Sequence, residues 1–83
     1  GIALNPLAGT LVVCDHDNNR LQFFDRQGFH LLSRPVYGSK GSGKDQFDGP
    51  CAVAISSVGQ MVVADKRNGR LHFLSMSEEN GAL

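Results

Sequence analysis

Leu11-Val12-Val13-Cys14-Asp15-His16-Asp17-Asn18-Asn19-Arg20-Leu21-Gln22-Phe23-Phe24 returns later in the chain as Met61-Val62-Val63-Ala64-Asp65-Lys66-Arg67-Asn68-Gly69-Arg70-Leu71-His72-Phe73-Leu74. Asp15 and Asp65 stand 50 residues apart, and every shared position keeps that offset. An apolar residue, Val-Val, a small residue and Asp come first. Asn follows three residues after the Asp, then Arg-Leu, then Phe with a closing apolar residue. Chance supplies the valines, but not Asp, Asn, Arg, Leu and Phe together in register. A recurrence at this spacing marks a repeat architecture.

The match extends upstream. Gly1-Ile2-Ala3-Leu4 has the character of Ala52-Val53-Ala54-Ile55, and each leads to a turn ending in glycine, Gly9 and Gly59. The first copy carries one additional residue in that turn, where an insertion costs least. Three short strands are expected in each copy: Ile2–Leu4, Leu11–Cys14 and Leu21–Phe24, then Val53–Ile55, Met61–Ala64 and Leu71–Leu74. Their β-branched and aromatic content favours strand over helix. Phe29–Leu32, continuing toward Tyr37, is expected to supply a fourth strand in copy one. Copy two runs into the polar, glycine-containing Ser75–Leu83 before a fourth strand is clear.

No 3.6-residue period is sustained anywhere. The expected fold class is all-β: antiparallel four-stranded sheets as the blades of a β-propeller, with about one and three-quarter repeats in the chain. Residues 1–37 form the first blade with its start truncated, 38–50 the connection, and 51–83 a second, incomplete blade. A propeller closes with roughly four to eight blades. The remaining blades are therefore expected from a longer chain or from other copies of this one.

Eight basic and eight acidic residues give no net charge, which argues against strong nonspecific attraction to nucleic acid or anionic lipid. No apolar run approaches the length of a membrane span. Gly1–Pro6 lacks the basic start and apolar core of a signal peptide. Two cysteines are too few for a disulfide framework. A cytoplasmic protein without membrane partners or cofactors is expected, with an oxidising compartment left open by Cys14 and Cys51.

The connection Gly38-Ser39-Lys40-Gly41-Ser42-Gly43-Lys44-Asp45-Gln46-Phe47-Asp48-Gly49-Pro50, followed by Val62-Val63-Ala64-Asp65 and Asn68-Gly69-Arg70-Leu71, resembles the NHL repeat. The resemblance covers nearly residues 1–75. It implies a propeller, six-bladed in that family, with four-stranded antiparallel blades. The wording is most similar to the propellers of tripartite-motif proteins, which recognise RNA or protein partners. A more distant likeness is to the peptidyl-hydroxyglycine amidating lyases, whose zinc-holding histidines follow a proline at the start of the innermost strand. Here Cys51 follows Pro50, which removes the reason for borrowing that mechanism.

No catalytic set can be assembled from spacing. Asp15 with Asn18 and Arg20, and Asp65 with Asn68 and Arg70, are read as scaffold of the turn, since short polar side chains satisfy backbone donors there. His16, His30 and His72 occupy different repeat positions, so convergence on one metal is not expected. Gly38–Lys44 lacks the frame of a phosphate-binding loop, because Asp45 follows Lys44 and no helix starts there. Cys14, opposite Ala64 in the repeat, and Cys51 are both read as small packed thiols, and Phe23, Phe24 and Phe73 as core.

What remains for binding is loop chemistry. The tips His16–Asn19 and Lys66–Gly69 should share one face, being the same repeat position. Expected binding residues are His16, Asn19, Lys66 and Arg67 at the tips, with Arg34, Tyr37, Lys40 and Lys44 in or beside the connection. The expected function is a noncatalytic scaffold for a protein or single-stranded RNA partner. The alternatives are a fragment of a zinc-dependent amidating-lyase-like enzyme and a self-assembling structural unit.

Overall fold

A computed structural model describes residues 1–6, 9–31 and 35–75. In each repeat copy, side chains alternate between two faces as a pleated strand requires. Val12 and Cys14 are buried while Leu11, Val13 and Asp15 are half-buried. Strands β1 (Ile2–Leu4), β2 (Leu11–Asp15), β3 (Arg20–Phe24) and β4 (Val36–Tyr37) form an antiparallel sheet in chain order. β5 (Ser39–Lys40) and β6 (Gln46–Phe47), within the connection, pair in parallel. β7 (Pro50–Ile55), β8 (Gln60–Asp65) and β9 (Arg70–Ser75) form a second antiparallel sheet.

The two antiparallel sheets have the same register. Val12 faces Phe23, Cys14 faces Leu21 and Asp15 faces Arg20 in the first; Val62 faces Phe73, Ala64 faces Leu71 and Asp65 faces Arg70 in the second. The first strands follow suit, with Ala3 opposite Val12 and Ala54 opposite Val62. One irregularity sets them apart. The register between β7 and β8 shifts between Pro50 and Ala52, leaving Cys51 as the extra residue of a bulge.

The sheets stack face to face, with β7 lying along β1 and β2. Backbones come so close there that a Cβ on Gly1 would sit 3.0 Å from Ala52 Cα. Val12, Cys14, Leu21 and Phe23 of the first sheet pack with Met61 and Val63 of the second. Phe47 from the connection completes this core, its ring edge-on to Tyr37 at 6.2 Å and tilted against His72 at 4.6 Å. Burying each large apolar side chain here contributes about 1.5–3 kcal/mol.

Of the stretch expected as the fourth strand, the described residues Phe29–Leu31 form no strand, and the strand lies at its far end, Val36–Tyr37. Asp25 Oδ1 accepts the backbone N–H groups of Gln27 and Phe29 at 2.9 and 3.0 Å, and Asp25 N donates to Phe29 O at 2.7 Å. That side chain holds the chain in a tight turn, after which the described residues make a bridge from Phe24 to His30 and a bond from the Leu31 N–H to Phe23 O at 3.1 Å. The strand that pairs with β3 is β4, where Tyr37 faces Leu21 and Val36 faces Gln22. Leu32 lies outside the described residues.

Phe73 is also not core: it is 66% exposed, whereas its counterpart Phe23 is fully buried. The second sheet turns its opposite face inward. His72 is buried between exposed Leu71 and Phe73 on the same strand. Phe24 is half-buried. Among the described residues no helix is long and apolar enough to cross a membrane.

Candidate functional site

Each β2–β3 and β8–β9 link is one short 3-10 turn, His16–Asn18 in the first sheet and Lys66–Asn68 in the second. The residue after each turn is left-handed, Asn19 at φ 53° and Gly69 at φ 61°, which Asn and Gly tolerate better than other residues. The aspartate before each turn organises it. Asn18 Nδ2 donates to both oxygens of Asp15 at 3.1 Å, while Arg20 Nε and Gln22 Nε2 each donate to Oδ2 at 2.9 Å. Asp65 Oδ2 accepts from Asn68 Nδ2 at 2.8 Å and Arg70 Nε at 3.3 Å, and His72 Nε2 lies 3.1 Å away. Its Oδ1 accepts the backbone N–H of Asp48 at 2.7 Å.

These contacts govern the charge of both carboxyls. Arg20 foremost, with Asn18 and Gln22, holds the Asp15 carboxyl below the usual carboxylate range. Burial pushes the Asp65 carboxyl up, but the donors from Asn68, Asp48, His72 and Arg70 outweigh it and leave it low as well. Both are ionised acceptors with their lone pairs engaged by the protein. Neither has the raised pKa of a general acid.

Arg70 is equally committed. Its guanidinium donates to the carbonyls of Ser42 and Gly43 at 2.8 Å and of Gln46 at 3.0 Å, tying the connection to the second turn. Asn68 Nδ2 adds a bond to Gly41 O at 2.8 Å.

The two turns meet at Gly49. Asn19 Oδ1 accepts the Gly49 N–H at 2.8 Å, and Lys66 and Arg67 donate their backbone N–H groups to Gly49 O and Asp48 O at 3.3 and 2.9 Å. A Cβ at Gly49 would lie 3.2 Å from His16 Nε2 and 3.3 Å from Arg67 Nη1, so side chains from both turns flank this glycine. The edge thus carries half-buried His16 beside exposed Asp17, Lys66 and Arg67, with Asp48 between the turns. Charges there are mixed: His16 Nδ1 stands 3.1 Å from Asp17 Oδ1, and Arg67 Nη1 is 3.4 Å from Asp48 Oδ1.

Of the expected binding residues, His16, Lys66 and Arg67 share this edge. Asn19 does not serve as a contact, since it is buried and its side-chain oxygen is spent on Gly49. Tyr37 is half-buried and donates its hydroxyl to Asp45, while Lys40 and Lys44 are exposed in the connection. Arg34 lies outside the described residues. Asp48 and Gly49 are the contributors that the sequence reading passed over as plain connection; the Gly-Pro pair at 49–50, just before a strand, was their signal.

Cys14 is buried, and burial pushes its thiol up, away from the reactive thiolate. Cys51 is exposed rather than packed, because the bulge carries it out of the ladder; its Sγ lies 3.7 Å from Ala64 O. Among the described residues no three of His, Cys, Asp and Glu gather to hold a metal ion. No protein-family model matches the chain, and no curated protein matches it.

Proposed function

We propose that the two antiparallel sheets are consecutive blades of an NHL-type β-propeller, and that the propeller is a noncatalytic scaffold gripping a protein partner along its turn edge. One observation carries this reading: the conserved-register turns consume Asp15, Asp65, Asn18, Asn68, Arg20 and Arg70 internally, while His16, Asp17, Lys66 and Arg67 remain at the edge. At the turns, the repeated Asp, Asn and Arg build the frame, while His16, Asp17, Lys66 and Arg67, which differ between copies, stand at the edge. Interactions on rigidly held loops are how such frames serve as binding platforms.

A protein surface suits this edge better than RNA does. Acidic and basic groups alternate and partly neutralise one another, as they do at the polar rim of a protein interface. Single-stranded RNA asks for a continuous basic groove with aromatic stacking platforms. Titration with a labelled single-stranded RNA 20-mer, at several salt concentrations, tests the choice. Weak binding that the Lys66→Ala, Arg67→Ala pair leaves unchanged is expected. Binding with a log–log salt slope of several units, lost in that variant, would replace protein with RNA as the partner.

A further inference from the structure

The stack has two outer faces, and each carries an apolar patch. On the first sheet, Ile2 is 63% and Leu4 53% exposed, with Leu11, Val13 and Phe24 half-buried beside them. On the second sheet, Leu71 is 58% and Phe73 66% exposed, flanking Ala54, Val62 and Ala64. Contiguous exposed apolar patches of this kind mark interaction sites.

What covers them follows from the repeat. The outer face of the second sheet carries the same positions that the first sheet buries: Ala54 for Ala3, Val62 for Val12, Ala64 for Cys14, Leu71 for Leu21 and Phe73 for Phe23. The outer face of the first sheet carries those that the second buries, with Leu11 for Met61, Val13 for Val63 and Phe24 for Leu74. The core of this chain is therefore a worked example of the contact that its two outer faces would make with each other.

We infer that a second copy of this chain docks head to tail, the Leu71–Phe73 face of one copy against the Ile2–Leu4 face of the next, reproducing the internal stack. The contact is heterologous, since two different faces meet. Each docking leaves one face of each kind free, so association continues until the rotation closes a ring. Resting on the blade reading above, closure at roughly four to eight blades corresponds to about two to four copies. Gln22, at the position of the buried His72, comes into the new contact together with Asp15, Arg20 and the His30 ring that stacks on Phe24, the polar groups at the border of this face.

Sedimentation of the 83-residue chain over a range of concentrations tests the inference together with two variants, Phe73→Asp and Ile2→Asp. Both positions are exposed, so the fold tolerates the charge. The wild-type chain is expected to form a closed oligomer, and each variant alone to remain monomeric. Mixed, the variants contribute one intact face of each kind and should form a one-to-one heterodimer that grows no further. A wild-type monomer at high concentration overturns the inference, as does an Ile2→Asp variant that still dimerises by pairing two Leu71–Phe73 faces. Nuclear Overhauser contacts among Val12, Phe23, Met61 and Val63 report separately on the blades. If they persist in a monomer, the docking fails and the blade reading stands; if they are absent, the stack itself is wrong.

Discussion

His72 Nε2 stands 3.1 Å from Asp65 Oδ2, at the place where Gln22 Nε2 donates to Asp15 Oδ2 at 2.9 Å in the first sheet. The requirement at this position is a donor that reaches back across the strand to the turn aspartate. Imidazole and carboxamide both meet it. The His72 side chain is nearly enclosed, against the Phe47 ring, so a donor lost there is not replaced by water.

Replacing His72 with Gln should therefore change stability little, within about 1 kcal/mol. His72→Leu keeps the bulk but removes the donor, and should cost about 1–3 kcal/mol. Thermal midpoints of the two variants, compared with the wild-type chain, decide the matter. Equal losses from both would mean that the ring's packing, not its hydrogen bond, is what counts.

Asp65→Ala should be among the most damaging single changes. It removes a fully enclosed carboxylate that accepts from four donors, of which the Asp48 N–H and His72 are left buried without their acceptor. Breaking a buried pair of this kind costs roughly 3–5 kcal/mol. Asp15→Ala, at a side chain 18% exposed, should cost about 1–2 kcal/mol. Chemical denaturation of both variants gives the ordering; a reversal of it would refute the burial argument.

Acid should destabilise the fold through the same two residues. Both carboxyls titrate lower in the folded chain than the ordinary aspartate pKa of about 3.9. Their contribution is thus complete above the unfolded value and is lost as the pH falls through the folded one. The thermal midpoint should drop as the pH is lowered from about 5 toward 2. Asp65→Asn, less stable at neutral pH, should show a shallower drop.

Gly38 and Gly28 both adopt positive φ, 99° and 93°, but only Gly38 is crowded. A Cβ there would lie 2.6 Å from the Phe47 ring, whereas none of the surroundings of Gly28 comes within 4 Å. Gly28→Ala should carry only the backbone strain, about 1 kcal/mol. Gly38→Ala should add the cost of displacing a buried ring, about 1–3 kcal/mol more. Urea midpoints of the two variants measure the difference.

The three core strands of each copy were legible in sequence because short β-branched and aromatic runs, bounded by turn residues, recur in register 50 residues apart. The fourth strand was not. Phe29 and Leu31 look like strand residues, but Asp25 Oδ1 captures the N–H groups of Gln27 and Phe29 in a tight turn, and the strand that pairs with β3 forms farther on, at Val36–Tyr37. Phe73 was misplaced for a different reason. Periodicity tells which residues share a face, and Leu71 with Phe73 do; it does not tell which face meets the neighbouring sheet. The edge at Gly49 was hidden because its bonds, from the Gly49 N–H to Asn19 Oδ1 and from the Asp48 N–H to Asp65 Oδ1, join residues far apart in the chain.

Phe47 touches Tyr37 on one side and His72 on the other, yet belongs to neither large sheet. The β2–β3 and β8–β9 hairpins need only near neighbours along the chain and form as local units in about 1–10 μs. Their docking is a long-range event that waits for the connection to lay this ring between them, and such non-local closures set the pace of β-rich folding. In the native state the order reverses. The ring is a clasp between the hairpins, so its removal should loosen their contact while leaving each hairpin intact.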